Sequence, residues 1–398
     1  MKPAVLGGRP AFHHPVSFVR PALPSYRSIS DPLAQTFRSG MLTKGPYLQE
    51  FELEAARHLG VKHAIGVSSC TMGLLLVYQA LALKGEVVVP SFTFMATVHP
   101  LLWTGVKPVF VDVDAKTWNI DPQEVRRAIT DKTSAIVAVH IFGNPAEIEE
   151  LEAIAREYDL RLIFDSAHGF GSLYNGQPLG RYGNVEVFST SPTKLVVTGE
   201  GGVVATNDDE LAELIRVGRE YGNRGQYASA FPGLNGRMQE FSSLLGLESL
   251  KLVEQVATWR NRLVDLYQKA FETLPGLIFQ RTNPRGRSSY KDFTILIDEV
   301  LFGMSRDCLV WALRGEGIHT RNYYDPPVHL HETYRDFRDS CNGRVTVTEE
   351  LSKRCLSFPM GPHLKDDDIV KIGSSIESIH HRAKEVTDLF FREFSTID

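Results

Sequence analysis

The chain has 398 residues, 43% of them hydrophobic and 23% charged, with a formal net charge of −5. That length exceeds one small core and suits a large α/β unit with a smaller companion. The mild negative balance offers no general polyanion-binding surface, so nucleic acid is not expected as a partner.

Residues 1–30 carry Pro3, Pro10, Pro15, Pro21 and Pro24, which predicts an extended arm. This start lacks the apolar core of a signal peptide, and no window has the roughly 20 apolar residues a membrane helix needs, so a cytoplasmic protein is expected. Helical patterning begins near Asp31, and LQEFELEAARHLG (48–60) repeats apolar residues at helical spacing up to Gly60. The run HAIGVSS (63–69) reads as a strand, followed by a small-residue turn and a helix. EVVVP (86–90) and the segment 104–114 supply further strands.

The alternation continues with a strand at 133–140, a helix at 146–160, and strands at 161–165, 185–189 and around 203–208. Apolar strands interleaved with amphipathic helices predict a largely parallel sheet covered on both faces, an α/β fold. Residues from about Arg237 to Leu274 read as one long helix or a kinked pair linking two domains. Beyond it, FTILID, GIHTRNYY and a final helix from about Asp366 predict a smaller α+β domain. The expected division is an arm at 1–30, a large domain at 31–250 and a small domain at 251–398.

In open α/β sheets, ligands gather beyond the carboxyl ends of the strands. Three polar groups stand there. Asp165 ends RLIFD, Ser189 ends VEVFS, and Ser69, Cys70 and Thr71 open a helix after an apolar run. Helix N-termini present free N–H groups to anions, so SSCTMG could be a phosphate cradle or a plain cap. Lys194 lies in SPTKLVVTGEGG, between an apolar strand and a glycine-rich turn. A lone lysine is ordinarily a solvated charge; a desolvated one becomes an amine nucleophile. Asp165 could be a helix cap or the carboxylate that keeps a pyridine nitrogen protonated. Phe94 is core by base rate, or a ring that stacks on a cofactor.

Other motifs fall away. GEGG (199–202) is too short for a nucleotide fingerprint, and neither a P-loop nor a hydrolase elbow occurs. His329 and His331 have no third metal ligand at a recognisable spacing, so a structural role is expected and no metal site is assigned. His380 and His381 are expected on the solvent face of the last helix. Cys70, Cys308, Cys341 and Cys355 are scattered and read as buried thiols.

Several segments in order, among them LTKGPYLQEFE, VPSFTFMATVHPLL, RLIFDSAHGFGS, FSTSPTKLVVTGEGG, LNGRMQEF and LSFPMGPHL, resemble the DegT/DnrJ/EryC1/StrS family of sugar aminotransferases. The resemblance covers nearly the whole chain. It implies the fold-type-I architecture of enzymes dependent on pyridoxal 5′-phosphate, which cycles through pyridoxamine 5′-phosphate. Lys194 then matches the Schiff-base lysine and proton shuttle, and Asp165 the partner of the pyridine nitrogen. His168 matches the residue near the 3′-oxygen, and Phe94 the ring stacker. Cys70, Thr71 and Ser189 match phosphate-binding positions. Asn235 matches an asparagine that reaches the phosphate from the neighbouring subunit, implying a homodimer with shared active sites.

The family usually has Gly at position 70, so Cys70 is expected to offer only its backbone N–H. STSPTK departs from the more usual SFHPTK beside the lysine. The resemblance further implies L-glutamate as donor and a nucleotide-linked 4-keto-6-deoxyhexose as acceptor, and the loops LTKGPY and RNYYDPPVH (321–329) are expected to shape the sugar site. Members acting at C3 tend to carry Y-P-G-K-N-L-G around the lysine; S-P-T-K-L-V-V favours C4. A keto-inositol aminotransferase is the main alternative, ahead of a 3-aminotransferase or a non-catalytic regulator. Lys194 counts against the sugar 3-dehydratases, which carry histidine there.

Overall fold

The computed structural model describes residues 2–225, 227–341 and 345–394. In chain order its strands are β1 (His63–Val67), β2 (Glu86–Pro90), β3 (Lys107–Val111), β4 (Thr133–Val139), β5 (Arg161–Asp165), β6 (Leu173–Tyr174), β7 (Gln177–Pro178), β8 (Val185–Ser189) and β9 (Gly202–Thr206). They continue with β10 (Leu277–Phe279), β11 (Gly286–Arg287), β12 (Phe293–Ile297) and β13 (Cys355–Phe358).

Seven of them form one sheet in the order β1-β9-β8-β5-β4-β2-β3. The sheet is parallel except for β9, which runs antiparallel to both β1 and β8. Alternate residues of its strands enter opposite cores. Ile136, Ala138, Leu162 and Phe164 face one side with the helices Pro46–Leu59 and Ile148–Glu157. Ala135, Val137, Ile163 and Val204 face the other with Cys70–Ala80 and Asp209–Gly218. Burial on both faces is why these strands read as unbroken apolar runs.

A charged residue within a strand interrupts that rule. Glu186, in β8, is wholly buried and accepts hydrogen bonds from Ser166 Oγ, Gly180 N and Tyr182 N. It thereby pins the loop that follows Asp165 onto the sheet. A buried carboxylate survives only when its oxygens are satisfied in this way.

The expected kinked pair is Glu240–Leu250 followed by Val253–Phe271. The second helix spans two cores: Val253, Val256 and Ala257 join the large one, while Leu263, Val264, Tyr267 and Phe271 join a smaller one. The smaller core packs against the antiparallel sheet β10-β12-β13 and the helices Arg306–Gly315, Asp366–His380 and Ala383–Phe394. Residues of the N-terminal segment lie on the same unit, with Val16 bridging Ile318 and Val19 bridging Met360. Glu316, itself buried, accepts from the amides of Ala4 and Ala11.

Three expectations change. The first helix begins at Tyr26, ahead of Asp31, because Ser25 caps it by accepting from Arg27 N. Pro32 therefore sits inside the helix. Asp366–His380 is followed by another helix, and His380 is half-buried with Nδ1 at 2.9 Å from Phe302 O, leaving only His381 on the solvent side. Cys70, Cys308 and Cys355 are buried free thiols, whereas the Cys341 side chain lies outside the described residues.

Candidate active site

The carboxyl ends of β5 and β8 and the helix start after β1 border a cavity of about 310 Å³, closed on one side by Lys291, Tyr323 and Tyr324. That volume lies at the small end of the range for small-molecule sites. The cavity gathers Cys70, Thr71, Phe94, Asp165, His168, Ser189 and Lys194, which are far apart in sequence. Asn235 is not among its lining residues; it follows Leu234 on a turn whose backbone pairs with Glu220.

Lys194 sits in the loop between β8 and β9. That loop is folded on itself by Lys194 N to Ser191 O at 3.0 Å, Thr198 N to Thr190 O at 2.8 Å and the paired hydroxyls of Thr190 and Thr198 at 2.7 Å. The following Leu195, Val196 and Val197 are buried, and Lys194 itself is half-buried in the cavity wall. Its amine titrates at about 7, lowered from 10.5 chiefly by burial and then by the nearby Lys291 charge. Asp292, Cys70 and Asp165 pull weakly the other way. The bland reading of a solvated lysine is thereby displaced.

Asp165 is buried at the tip of β5. Thr97 Oγ1 donates to its Oδ2 at 2.7 Å and Ala167 N to its Oδ1 at 3.0 Å. Burial still pushes its carboxyl pKa up, against the lowering effect of those two donors. A cation set against it would draw the pKa down again.

His168 accepts from Phe142 N through Nδ1 at 3.1 Å. Burial and the neighbouring cations hold its pKa well below the usual histidine range. It is therefore neutral with its proton on Nε2, a donor available to a ligand oxygen. Phe94, expected in the core by base rate, is 52% exposed and lines the cavity with an open ring.

At the opposite end Ser69 caps the helix Cys70–Ala80, accepting from Met72 N at 3.1 Å, while Gly73 N bonds Ser69 O. Among the described residues this leaves the amides of Cys70 and Thr71 as the free donors of the helix start. The Cys70 thiol turns inward, 3.9 Å from Asp165 Oδ1 and 3.7 Å from Val187 O, and burial keeps it protonated by pushing its pKa well up. Gly202 of β9 passes so close that a Cβ there would lie 2.7 Å from Cys70 N. A Cβ on Gly201 would meet the Thr190 and Thr198 hydroxyls at 2.6 and 2.4 Å. The glycines of GEGG thus shape a cradle for an anion.

Sequence reasoning passed over Thr97, Lys291 and the two glycines, and gave Tyr323 and Tyr324 no individual role. The signal for Lys291 was faint: adjacent Lys and Asp immediately precede β12, whose FTILI run is buried throughout, and the two form a buried pair. The tyrosines lie in the stretch 321–329, expected to shape the sugar site. LTKGPY does not line the cavity; its helix start is capped by buried Glu240, which accepts from Gly45, Tyr47 and Leu48 amides. His329 is a structural tie, its Nδ1 2.6 Å from Ser91 Oγ and its Nε2 3.2 Å from Glu349 Oε1. Among the described residues no group of three His, Cys, Asp or Glu side chains could hold a metal ion, and no helix is long and apolar enough to cross a membrane.

A lysine amine lowered to about 7, a buried carboxylate and free helix-start amides meet at the strand ends of such a sheet, an arrangement that suits an enzyme working through an amine nucleophile. The chain matches the model of the DegT/DnrJ/EryC1/StrS aminotransferase family over residues 27–377 and belongs to that family. It is similar to DesI, whose crystal structure in the presence of its TDP-sugar product aligns with TM-score 0.90 at 36% identity, covering 97% of this chain and 98% of that one. It is 32% identical to the dTDP-4-amino-4,6-dideoxy-D-glucose transaminase of Escherichia coli, covering 90% of this chain and 96% of the relative. It is 34% identical to the UDP-N-acetyl-3-dehydro-alpha-D-glucosamine 3-aminotransferase of Acidithiobacillus ferrooxidans, with coverages of 83% and 88%.

Proposed function

We propose that the protein transfers an amino group from L-glutamate to C4 of a nucleotide-linked 4-keto-6-deoxyhexose, using pyridoxal 5′-phosphate. The observation that carries this reading is the Lys194 amine, tuned to about 7 inside a cavity that also holds Asp165 and His168. The likeness to the Escherichia coli transaminase, whose name sets the amino group at C4, supports a 4-keto acceptor, the likeness to DesI supports a TDP-linked sugar, and the departure of S-P-T-K-L-V-V from the C3-type segment agrees with the first.

The residues suit the cofactor. Lys194 would hold it covalently through the amine, and Asp165 would face its ring nitrogen. His168 Nε2–H would donate to its phenolic oxygen, and Phe94 would cover the ring. The Cys70 and Thr71 amides with the Ser189 hydroxyl would receive its phosphate, joined by Asn235 of a second copy in a homodimer. When bound, the cofactor supplies an electron sink for the carbanion left after proton removal.

The chain's own part is proton handling and exclusion of water. With its pKa lowered to about 7, roughly half of Lys194 is the free amine at neutral pH, and that amine would take the α-proton of the donor and return a proton at the sugar carbon. Asp165, held by Thr97 and Ala167, stays fixed where it would keep the ring nitrogen protonated. Tyr323 and Tyr324 wall the cavity and limit solvent entry.

Borohydride reduction of the cofactor-loaded protein, followed by peptide mass mapping, tests this reading. A pyridoxyl adduct on Lys194, together with glutamate-dependent formation of 2-oxoglutarate, is the expected result. An adduct on another lysine would refute it.

A further inference from the structure

Lys291 is 5% exposed, and apart from Lys194 it is the only cation among the described residues lining the cavity. Its Nζ lies 3.0 and 2.8 Å from the two carboxylate oxygens of Asp292, itself 3% exposed, and 5.3 Å from the centre of the Tyr323 ring. An ammonium has three N–H donors, and one carboxylate occupies two of them. Asp292 is not among the lining residues, so the cavity faces the cation with its counter-ion behind it.

The backbone here is held hard. Buried Arg260 donates to Lys291 O at 2.7 Å and Tyr290 O at 3.0 Å, and Lys291 N donates to Phe142 O at 2.9 Å. Phe142 also donates to His168, which places Lys291 on the His168 side of the cavity, away from the anion cradle at Cys70 and Thr71.

We propose that Lys291 receives the α-carboxylate of the amino-acid donor on its third N–H, with Asp292 bracing the ammonium from behind. This rests on the aminotransferase reading above. The donor's α-carboxylate is one bond from the carbon whose proton Lys194 removes, so it must enter this same cavity. A keto sugar brings only neutral oxygens next to its reacting carbon, and its phosphates lie beyond the ring. The one fixed cation beside Lys194 therefore matches the donor. A buried ion pair is costly to maintain as mere packing, which favours retention for such a contact.

The test separates the half-reactions by stopped-flow absorbance on the loaded enzyme. With Lys291→Gln, kcat/KM of the donor half-reaction should fall about 100-fold with L-glutamate and by the same factor with L-alanine, on the scale seen when one partner of a buried charge pair is lost. Compared at the pH optimum of each variant, which removes the effect of the Lys291 charge on Lys194 protonation, the half-reaction with a 4-keto nucleotide sugar should stay within about fivefold, because a hydroxyl bonds an ammonium less strongly than a carboxylate does. Lys291→Arg should recover most of the donor rate. Equilibrium titration with 2-aminoisobutyrate, which has an α-carboxylate but no α-proton, should show the same weakening without turnover. The double variant Lys291→Gln/Asp292→Asn, which leaves no unpaired buried charge, should repeat the pattern.

A loss with glutamate but not alanine would assign Lys291 to the distal carboxylate and overturn the proposal. Equal loss in both half-reactions, or none, would also overturn it. A wild-type protein with no donor half-reaction for any amino acid would instead overturn the aminotransferase reading.

Discussion

Raising the pH across the cofactor-free protein should switch on its capture of pyridoxal phosphate at the titration of Lys194. The amine titrates at about 7, where an ordinary lysine is at 10.5. At a pH of about 7.5 roughly three-quarters of Lys194 is then the free nucleophile, against about one in a thousand for a solvated lysine. The second-order rate of cofactor capture, followed by stopped-flow absorbance, should rise about tenfold per pH unit below 7 and level off above it. The same shift fixes a stability slope. Between about 7 and 10.5 the folded chain binds fewer protons at this residue than the unfolded chain, so stability rises with pH across that window. The slope is on the order of 1 kcal/mol per pH unit, with the cost fully present below 7. Lys194→Met should therefore raise the thermal midpoint of the cofactor-free protein near neutral pH. A capture rate that keeps climbing tenfold per unit up to pH of about 9 would refute the reasoning.

Three further predictions follow from single contacts. Thr97→Val removes the 2.7 Å hydrogen bond to Asp165, so the Asp165 pKa should rise further and the half-reaction rate fall about tenfold, with cofactor retained; an unchanged rate would show that Thr97 does not tune the carboxylate. Gly202→Ala places a Cβ 2.7 Å from Cys70 N, so the helix start must shift and the equilibrium constant for cofactor binding should weaken at least about tenfold; unaltered affinity would contradict the cradle. Mixing Lys194→Ala and Asn235→Ala chains tests the shared site: hybrid dimers should regain one intact site and cofactor-limited activity, and absence of complementation would place Asn235 in its own chain's site.

Much of the sheet was legible because its strands are buried on both faces, so β2, β4, β5 and β8 stand out as apolar runs between amphipathic helices. The antiparallel direction of β9 was not legible, since a short apolar run carries no sign of direction. Lys194, Asp165 and Ser189 could be named because each ends or follows a strand, and His168 only through the family resemblance. Thr97 could not, because its hydroxyl acts through a tertiary contact across 68 residues. Lys291 was hidden in a different way: a buried cation looks like a surface one until its Asp292 partner and the apolar β12 beside it are read together. Glu186 likewise looks like a polar interruption in β8, and only the loop amides it gathers explain its burial.

The reaction itself is tested most directly by one panel of half-reactions. Protein loaded with pyridoxamine phosphate would be mixed separately with dTDP-linked 4-keto-6-deoxyhexose, with a 3-keto nucleotide sugar and with scyllo-inosose, following return of the lysine-bound cofactor absorbance. Rapid return with the 4-keto sugar, and at least about 100-fold slower return with the others, is the result expected if contacts at the keto carbon discriminate. Return only with scyllo-inosose, or only with the 3-keto sugar, would contradict the proposed acceptor.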